Sequence, residues 1–161
     1  MNKVYLLLGS NLGNSASNIQ IATTMLAQKI GLIDAYSSLY ESAAWGKRKQ
    51  PNFLNQLIIC KSSLQPQQIL AQIFEIENHF KRERTEKWGA RTMDIDILFY
   101  DDWLINDIEL TIPHPLLHLR KFALLPLNEI APHFTHPVLG KSMSELCLLC
   151  TDELEVLKIN F

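Results

Sequence analysis

Excess charge of either sign is missing from this chain. Fifteen lysines and arginines stand against seventeen aspartates and glutamates, a formal net charge of −2. With no global field to draw in nucleic acid or an anionic membrane, any phosphate binding has to come from local clusters. Long apolar runs are missing too. None approaches the roughly 20 residues that cross a bilayer, and the opening MNKVYLLLGSN passes into turn residues too soon for a secretory leader. The expectation is a soluble, cytoplasmic protein that engages neither nucleic acid nor membrane. Cysteine is scarce and odd in number, only Cys60, Cys147 and Cys150, which argues against a disulfide framework. Cys147 and Cys150 form a C-x-x-C, yet no second pair completes a zinc site, and buried free thiols on a short helix are expected. His114 and His118 stand four apart, but Pro113 and Pro115 bracket the first and argue against a helical metal pair. Internal repeats and linkers are absent. The glycine turn after the first apolar run lacks the Gly-Lys-Ser/Thr of a P-loop.

What is present fits one domain spanning residues 1–161, with 47% hydrophobic residues to build a core. Val4 to Leu8 reads as a central strand covered on both faces, ending at Gly9-Ser10-Asn11-Leu12-Gly13. Asn14 or Ser17 caps a helix whose apolar positions Ile19, Ala22, Met25, Leu26 and Ile30 run to a stop at Gly31. Leu32 to Tyr40 and Phe53 to Cys60 read as strands, separated by an irregular ESAAWGKRKQP that collects Lys47, Arg48 and Lys49. Parity puts Phe53, Asn55, Leu57 and Ile59 on one face, an aromatic plane beside an amide. Such a pair suits a heterocycle, by stacking and by paired donor and acceptor; equally, Phe53 is core and Asn55 a strand end. Pro66 opens a helix to about Phe80. Glu77 falls on its apolar arc, where a surface acid is not expected, so a partner is expected for it. A hairpin around Asn106-Asp107 and a short helix near Ser142 to Cys150 follow. The order β-α-β-β-α-β predicts an α+β fold: a ferredoxin-like antiparallel sheet with helices on one face, plus a C-terminal extension.

The most informative stretch is RERTEKWGARTMDIDILFY, Arg82 to Tyr100. Alternation puts Asp94 and Asp96 on one strand face, with carboxylates about 7 Å apart along the chain, a spacing that suits one hard cation or a close pair. An ordinary half-exposed edge strand has the same pattern. Against that, Arg82, Arg84 and Arg91 lie just before the acids in a segment with little helix or strand character. Cations beside three arginines suggest polyphosphate chemistry. The like charges of Lys81, Arg82, Arg84 and Lys87 predict a loop that moves until an anion neutralises it. Two other classes share parts of this pattern. A nucleotidyltransferase combines a Gly-Ser turn with Asp-x-Asp, but within about a dozen residues, far closer than Ser10 and Asp94. A ferredoxin-like RNA-binding module would carry basic, aromatic central strands, and acids there repel a phosphate backbone.

The segments GSNLG at Gly9, FLNQ at Phe53, RxRTEKWGARTMDIDIL at Arg82 and IPHPLLHLRKFALLPL at Ile112 resemble the 6-hydroxymethyl-7,8-dihydropterin pyrophosphokinases of folate biosynthesis. They cover most of the chain in the family's order. The resemblance implies Mg²⁺-dependent transfer of pyrophosphate from ATP to the pterin's hydroxymethyl group, leaving AMP, by a protein expected to act as a monomer. It implies that Asp94 and Asp96 hold two Mg²⁺ ions bound with ATP. It assigns Arg82 and Arg84 to a mobile catalytic loop, Arg91, His114 and Arg120 to an anion shell, and Trp88 to closure over the site. Glu77 and Ile97 fall on the ATP side. Phe53 and Phe122 sandwich the pterin, while Asn55 and the backbone at Ser42, Ala43 and Trp45 read its polar edge. Three departures stand out. The family's Gly-Pro-Arg is Gly89-Ala90-Arg91, its Thr-x-Pro is Ser42-Ala43-Ala44, and its glycine before the first loop arginine is Lys81.

Overall fold

The computed structural model describes residues 1–44, 50–80 and 92–159. Its centre is β1 (Asn2–Ser10), flanked by β4 (Phe53–Ser62) and β5 (Asp94–Tyr100), both antiparallel to it. The second strand of the expected order comes in two pieces, β2 (Leu32–Tyr36) and β3 (Leu39–Ser42), which follow one another along β4. With the pieces taken together, the order is that of the expected ferredoxin-like sheet, the β1 neighbours being the third and fourth strands of the motif. The break falls where a side chain enters the ladder. Ser37 N–H donates to the Leu57 carbonyl at 2.9 Å, and Ser37 Oγ accepts from Leu57 N–H at 3.0 Å, in place of a main-chain carbonyl.

Two helices lie on one face, as expected. In α1 (Ser15–Lys29), Asn14 Oδ1 caps the first turn by accepting from Ser17 N–H at 3.1 Å. Gly31 ends it in a tight approach to β4. An added Cβ there would stand 2.1 Å from the Lys61 carbonyl oxygen, so no other residue passes without moving the backbone. In α2 (Pro66–His79) the buried stripe is Ile69, Ile73 and Ile76. These side chains meet Val4, Leu6, Leu8, Ile58, Cys60, Ile95 and Ile97 in the first core cluster.

The C-terminal extension covers the opposite face. After the β6 (Ile105–Asn106) and β7 (Thr111–Ile112) hairpin come a one-turn helix at Leu117–Leu119, α3 (Lys121–Ile130) and α4 (Met143–Leu149). Ser142 and Glu145 close a capping box at the start of α4. Ala123, Leu124, Leu127, Met143 and Leu146 pack on Tyr5, Leu7, Leu57 and Ile59, making a second core. The sheet is thus buried on both faces, which is why β1 reads as an unbroken apolar run. A further strand, β8 (Val156–Ile159), extends the sheet beyond β3. Cys60 is buried, whereas Cys147 and Cys150 are half-buried. Among the described residues no helix is long and apolar enough to cross a membrane.

Strand β5 carries one irregularity that matters for the site. Leu6 opposes Ile97 and Tyr5 opposes Phe99, so Leu98 is an extra residue in the ladder. Up to Ile97 the alternation is regular. Beyond it, Leu98 and Phe99 both enter the second core, and Tyr100 returns to the first.

The segment before α4 is held by His136, whose Nδ1 accepts from Val138 and Leu139 N–H, each at 3.1 Å. Burial first, and then the neighbouring His118, lower the His136 pKa. The unfolded chain takes up that proton more readily, so the stabilisation is complete above about pH 6.5 and is lost as pH falls toward the lowered folded value. Denaturation midpoints measured at about pH 7.5 and about pH 5 are expected to show this loss. His136→Asn, which keeps an acceptor and does not titrate, is expected to show a smaller one.

Candidate active site

Four adjacent strands bring polar residues, the predicted Asp94, Asp96 and Asn55 among them, into one row on the second face. Gly9, near the end of β1, opposes Asp94 of β5 on one side and Asn55 of β4 on the other, and Asn55 opposes Tyr40 of β3. Two residues along β1, Leu7 opposes Asp96 and Leu57. Directly opposed side chains share a face. Asp94, Asp96, Asn55 and Tyr40 therefore project toward the α3 side, where Leu7 and Leu57 are packed.

Gly9 opens a floor in the middle of this row. Neighbouring strands lie about 4.8 Å apart, which sets the Asp94 and Asn55 backbones roughly 10 Å from each other. Gly9 itself puts no side chain into the interval. An added Cβ at Gly9 would stand 3.2 Å from Asn55 Oδ1 and 3.6 Å from Phe53 Cδ1. The floor is thus bounded by carboxylates on one side and by an amide and a phenyl ring on the other.

The amide bank is tightly held. Asn55 is 3% exposed, and its Nδ2 donates to Ser42 Oγ at 2.9 Å. With Nδ2 so committed, Oδ1 is the atom beside Gly9. Ser42 was expected to act through its backbone; its hydroxyl turns out to orient Asn55. Ala43 follows, half-buried, just beyond β3. Asn11 fastens the approach to Phe53, donating from Nδ2 to Gln50 Oε1 at 3.1 Å and to the Pro51 carbonyl at 3.0 Å.

From the extension come His114, Arg120 and Phe122: His114 is near enough to Asp94 and Arg120 to feel both charges, and Phe122 packs against the second core. His114 N–H donates to the Leu98 carbonyl at 3.0 Å, fixing the segment after β7 to the outer edge of β5. Burial above all, then the positive charge of Arg120, bring the His114 pKa down to about 4, against an opposite pull from Asp94. The imidazole is neutral at pH 7. Its Nδ1 accepts from Leu116 N–H at 3.1 Å, leaving Nε2 to carry the proton as a donor. Arg120 precedes α3, with its guanidinium carbon 5.6 Å from the centre of the Phe122 ring, within cation–π range.

Glu77 of α2 and Ile97 of β5 lie away from this row. The partner expected for Glu77 is the strand's own edge: Oε2 accepts from Ile95 N–H at 3.0 Å, and the carboxylate is 3% exposed. By strand parity the Ile97 N–H and C=O point to that same outer edge, while its side chain joins the first core. The two residues therefore border the edge of β5 and not the row on its face. Glu77→Ala is expected to cost about 1–3 kcal/mol of stability by orphaning a buried amide N–H. Glu77→Gln, which retains an acceptor oxygen, is expected to cost less, as read from urea midpoints.

Arg82, Arg84, Trp88 and Arg91 lie outside the described residues, as do Trp45 and the Lys47, Arg48 and Lys49 cluster. Gly9 was read only as part of a tight connection, although a glycine at the end of an apolar strand is a known sign of close approach. Among the described residues, a groove of about 370 Å³ runs between the β6–β7 hairpin and residues 136–139. It shares His114 with the site but none of the row residues, so the chemistry and not the cavity size locates the floor.

The donor set at Asp94 and Asp96 fits Mg²⁺. Both are hard oxygen ligands on one rigid strand, and among the described residues no group of three or more His, Cys, Asp and Glu gathers as a metal cage. Mg²⁺ is commonly held in that way, by one or two carboxylates plus water and substrate phosphates.

Known proteins resemble this chain over most of its length. The model of the family described as 7,8-dihydro-6-hydroxymethylpterin-pyrophosphokinase matches residues 5–132. A 2-amino-4-hydroxy-6-hydroxymethyldihydropteridine pyrophosphokinase of Aquifex aeolicus is 43% identical, over 90% of this chain and 90% of its own. One from Synechocystis is 41% identical, over 86% of this chain and 71% of its own. Plasmodium falciparum HPPK-DHPS, solved with pterin and p-hydroxybenzoate, superposes with a TM-score of 0.74 at 20% identity. That likeness covers 91% of this chain and 42% of the longer one, and it speaks for the fold alone. With the family's model matched over residues 5–132 and the two bacterial relatives at least 41% identical over 86% or more of this chain, the chain belongs to the 7,8-dihydro-6-hydroxymethylpterin pyrophosphokinase family.

Proposed function

We propose that the chain transfers pyrophosphate from ATP to the hydroxymethyl group of 6-hydroxymethyl-7,8-dihydropterin, releasing AMP, as a cytoplasmic monomer. The observation that carries this reading is the row Asp94–Gly9–Asn55. Its two ends differ in chemistry and stand roughly 10 Å apart, the scale of a bicyclic heterocycle with a one-carbon arm. The heterocycle lies over Gly9 with its polar edge at Asn55 Oδ1, and Phe53 and Phe122 take its two faces. Its hydroxymethyl group then points toward Asp94 and Asp96.

Asp94 and Asp96 would hold two Mg²⁺ ions, which when bound neutralise phosphate charge and acidify the attacking hydroxyl. The chain's own groups orient and enclose. His114 offers an Nε2 proton to a phosphate oxygen, and Arg120 supplies fixed positive charge next to it. The Ile97 N–H and C=O, a donor and an acceptor side by side on a strand edge, suit the nucleotide base, with Glu77 setting the edge beneath it. Arg82, Arg84 and Arg91 complete the anion shell, and Trp88 covers it. Transfer of this kind depends on alignment and charge neutralisation, with little covalent work for the protein. That accounts for the lack of a general base among the row residues.

Product analysis tests the proposal. ATP, Mg²⁺ and the pterin are expected to yield AMP and a pterin pyrophosphate. Release of inorganic pyrophosphate would point instead to nucleotidyl transfer and would overturn the reading.

A further inference from the structure

One buried-side carboxylate outside the row remains unexplained by the chemistry above. Glu129, at the end of α3, accepts from Ser38 N–H at 2.7 Å through Oε1 and from the Tyr40 hydroxyl at 2.6 Å through Oε2. Lys158 Nζ of β8 stands 3.8 Å from the same Oε2. A single side chain therefore joins α3 to the break in the second strand, to β3 and to β8. The carboxyl is ionised at neutral pH: burial pushes its pKa up, but the bonds from Tyr40 and Ser38 and the charge of Lys158 bring it below the usual value.

The position of this tie within α3 gives it a consequence. Phe122 is seven residues earlier, two turns away on the same side of the helix. Tyr40 opposes Asn55, and Ser42, two residues further along β3, receives the Asn55 amide. One end of α3 is thus fixed to the strand that orients Asn55, while the other end carries Phe122, the ring that the pterin reading sets across the heterocycle from Phe53. The helix needs such a tie. Pro126 sits inside α3 and has no N–H for the Phe122 carbonyl, so the first turn is released from the usual helical bond. Ala123, Leu124 and Leu127 seat the helix by apolar contact, which is non-directional and tolerates sliding.

We infer that Glu129 is a positioning residue for the heterocycle, setting the separation between Phe122 and the Asn55–Phe53 surface. The inference rests on the pterin reading of the site. Its test uses Glu129→Ala, Glu129→Gln and Tyr40→Phe, measuring the Kd of 6-hydroxymethylpterin with a saturating non-hydrolysable ATP analogue and Mg²⁺. The Kd of the analogue and the melting temperature are measured alongside. In Glu129→Ala the pterin is expected to bind about tenfold or more weakly, since a shift of an ångström in a positioning element costs that much. Nucleotide binding is expected to stay within about twofold. Glu129→Gln, which keeps one acceptor oxygen, is expected to fall between the alanine variant and wild type, and Tyr40→Phe to lose a few-fold.

A general loss of packing would weaken both ligands together, and that result overturns the inference. So does an unchanged pterin Kd in a folded Glu129→Ala. Should the alanine variant fail to fold, unchanged pterin affinity in both Glu129→Gln and Tyr40→Phe overturns it equally. A wild-type chain that binds the nucleotide but no pterin overturns the underlying reading, and this inference with it.

Discussion

Asp96→Ala is expected to lower the turnover of ATP to AMP by about a thousandfold or more, because metal-assisted charge neutralisation contributes several kcal/mol to such a transfer. The position leaves little room for a substitute. Asp96 opposes Leu7 on β1, and the buried side chains of Leu7, Ile95 and Ile97 around it keep the backbone from shifting a neighbouring oxygen into its place. Asp94→Ala is expected to behave alike, since the carboxylates act as a pair. The measurement is AMP formation at saturating substrates, with circular dichroism to verify that the variant folds. Near-normal turnover in a folded Asp96→Ala would remove the metal assignment and with it the phosphate end of the site.

The second large effect is expected at the other end of the row. Asn55→Ala should weaken pterin binding by about a hundredfold, the scale of leaving the polar edge of a ligand unpaired in a buried site. Two losses combine there. The ligand loses the acceptor beside Gly9, and Ser42 Oγ loses the donor it receives at 2.9 Å. The nucleotide analogue is expected to bind as before, since Asn55 is separated from Asp94 by the whole of β1. Titrating each ligand separately distinguishes the cases: equal weakening of both would mean that Asn55 supports the sheet and does not read the heterocycle.

Local rules carried much of the architecture. Asn14, Gly31 and Pro66 marked helix ends because their chemistry acts within a few residues. The two-residue period placed Asp94 and Asp96 together, and Phe53 with Asn55, before any contact was known. The wheel position of Glu77 called for a partner, and Ile95 N–H is that partner. What stayed out of sight depends on residues far apart in the chain. Ser37 breaks the second strand only because Leu57 lies opposite it. Glu129 reads as one more polar residue in an apolar helix until Ser38 and Tyr40, some ninety positions earlier, arrive beside it. The short strand β8 has no strong pattern of its own and exists by pairing with β3. The roles given to Arg82, Arg84, Trp88 and Arg91 come from resemblance, and these residues lie outside those the structure describes.

The extra residue at Leu98 bears on how this chain tolerates change in length. Every side chain in β5 keeps its face by counting from that one irregularity: Asp94 and Asp96 toward the floor before it, Phe99 and Tyr100 to their separate cores after it. Removing or adding a single residue between Asp94 and Tyr100 would exchange the faces on one side of the count, turning the acids into the apolar layer or the aromatic pair out of it. An alignment gap is therefore a graver event in this seven-residue strand than most substitutions, and a library that randomises the site should vary identity there while holding length fixed.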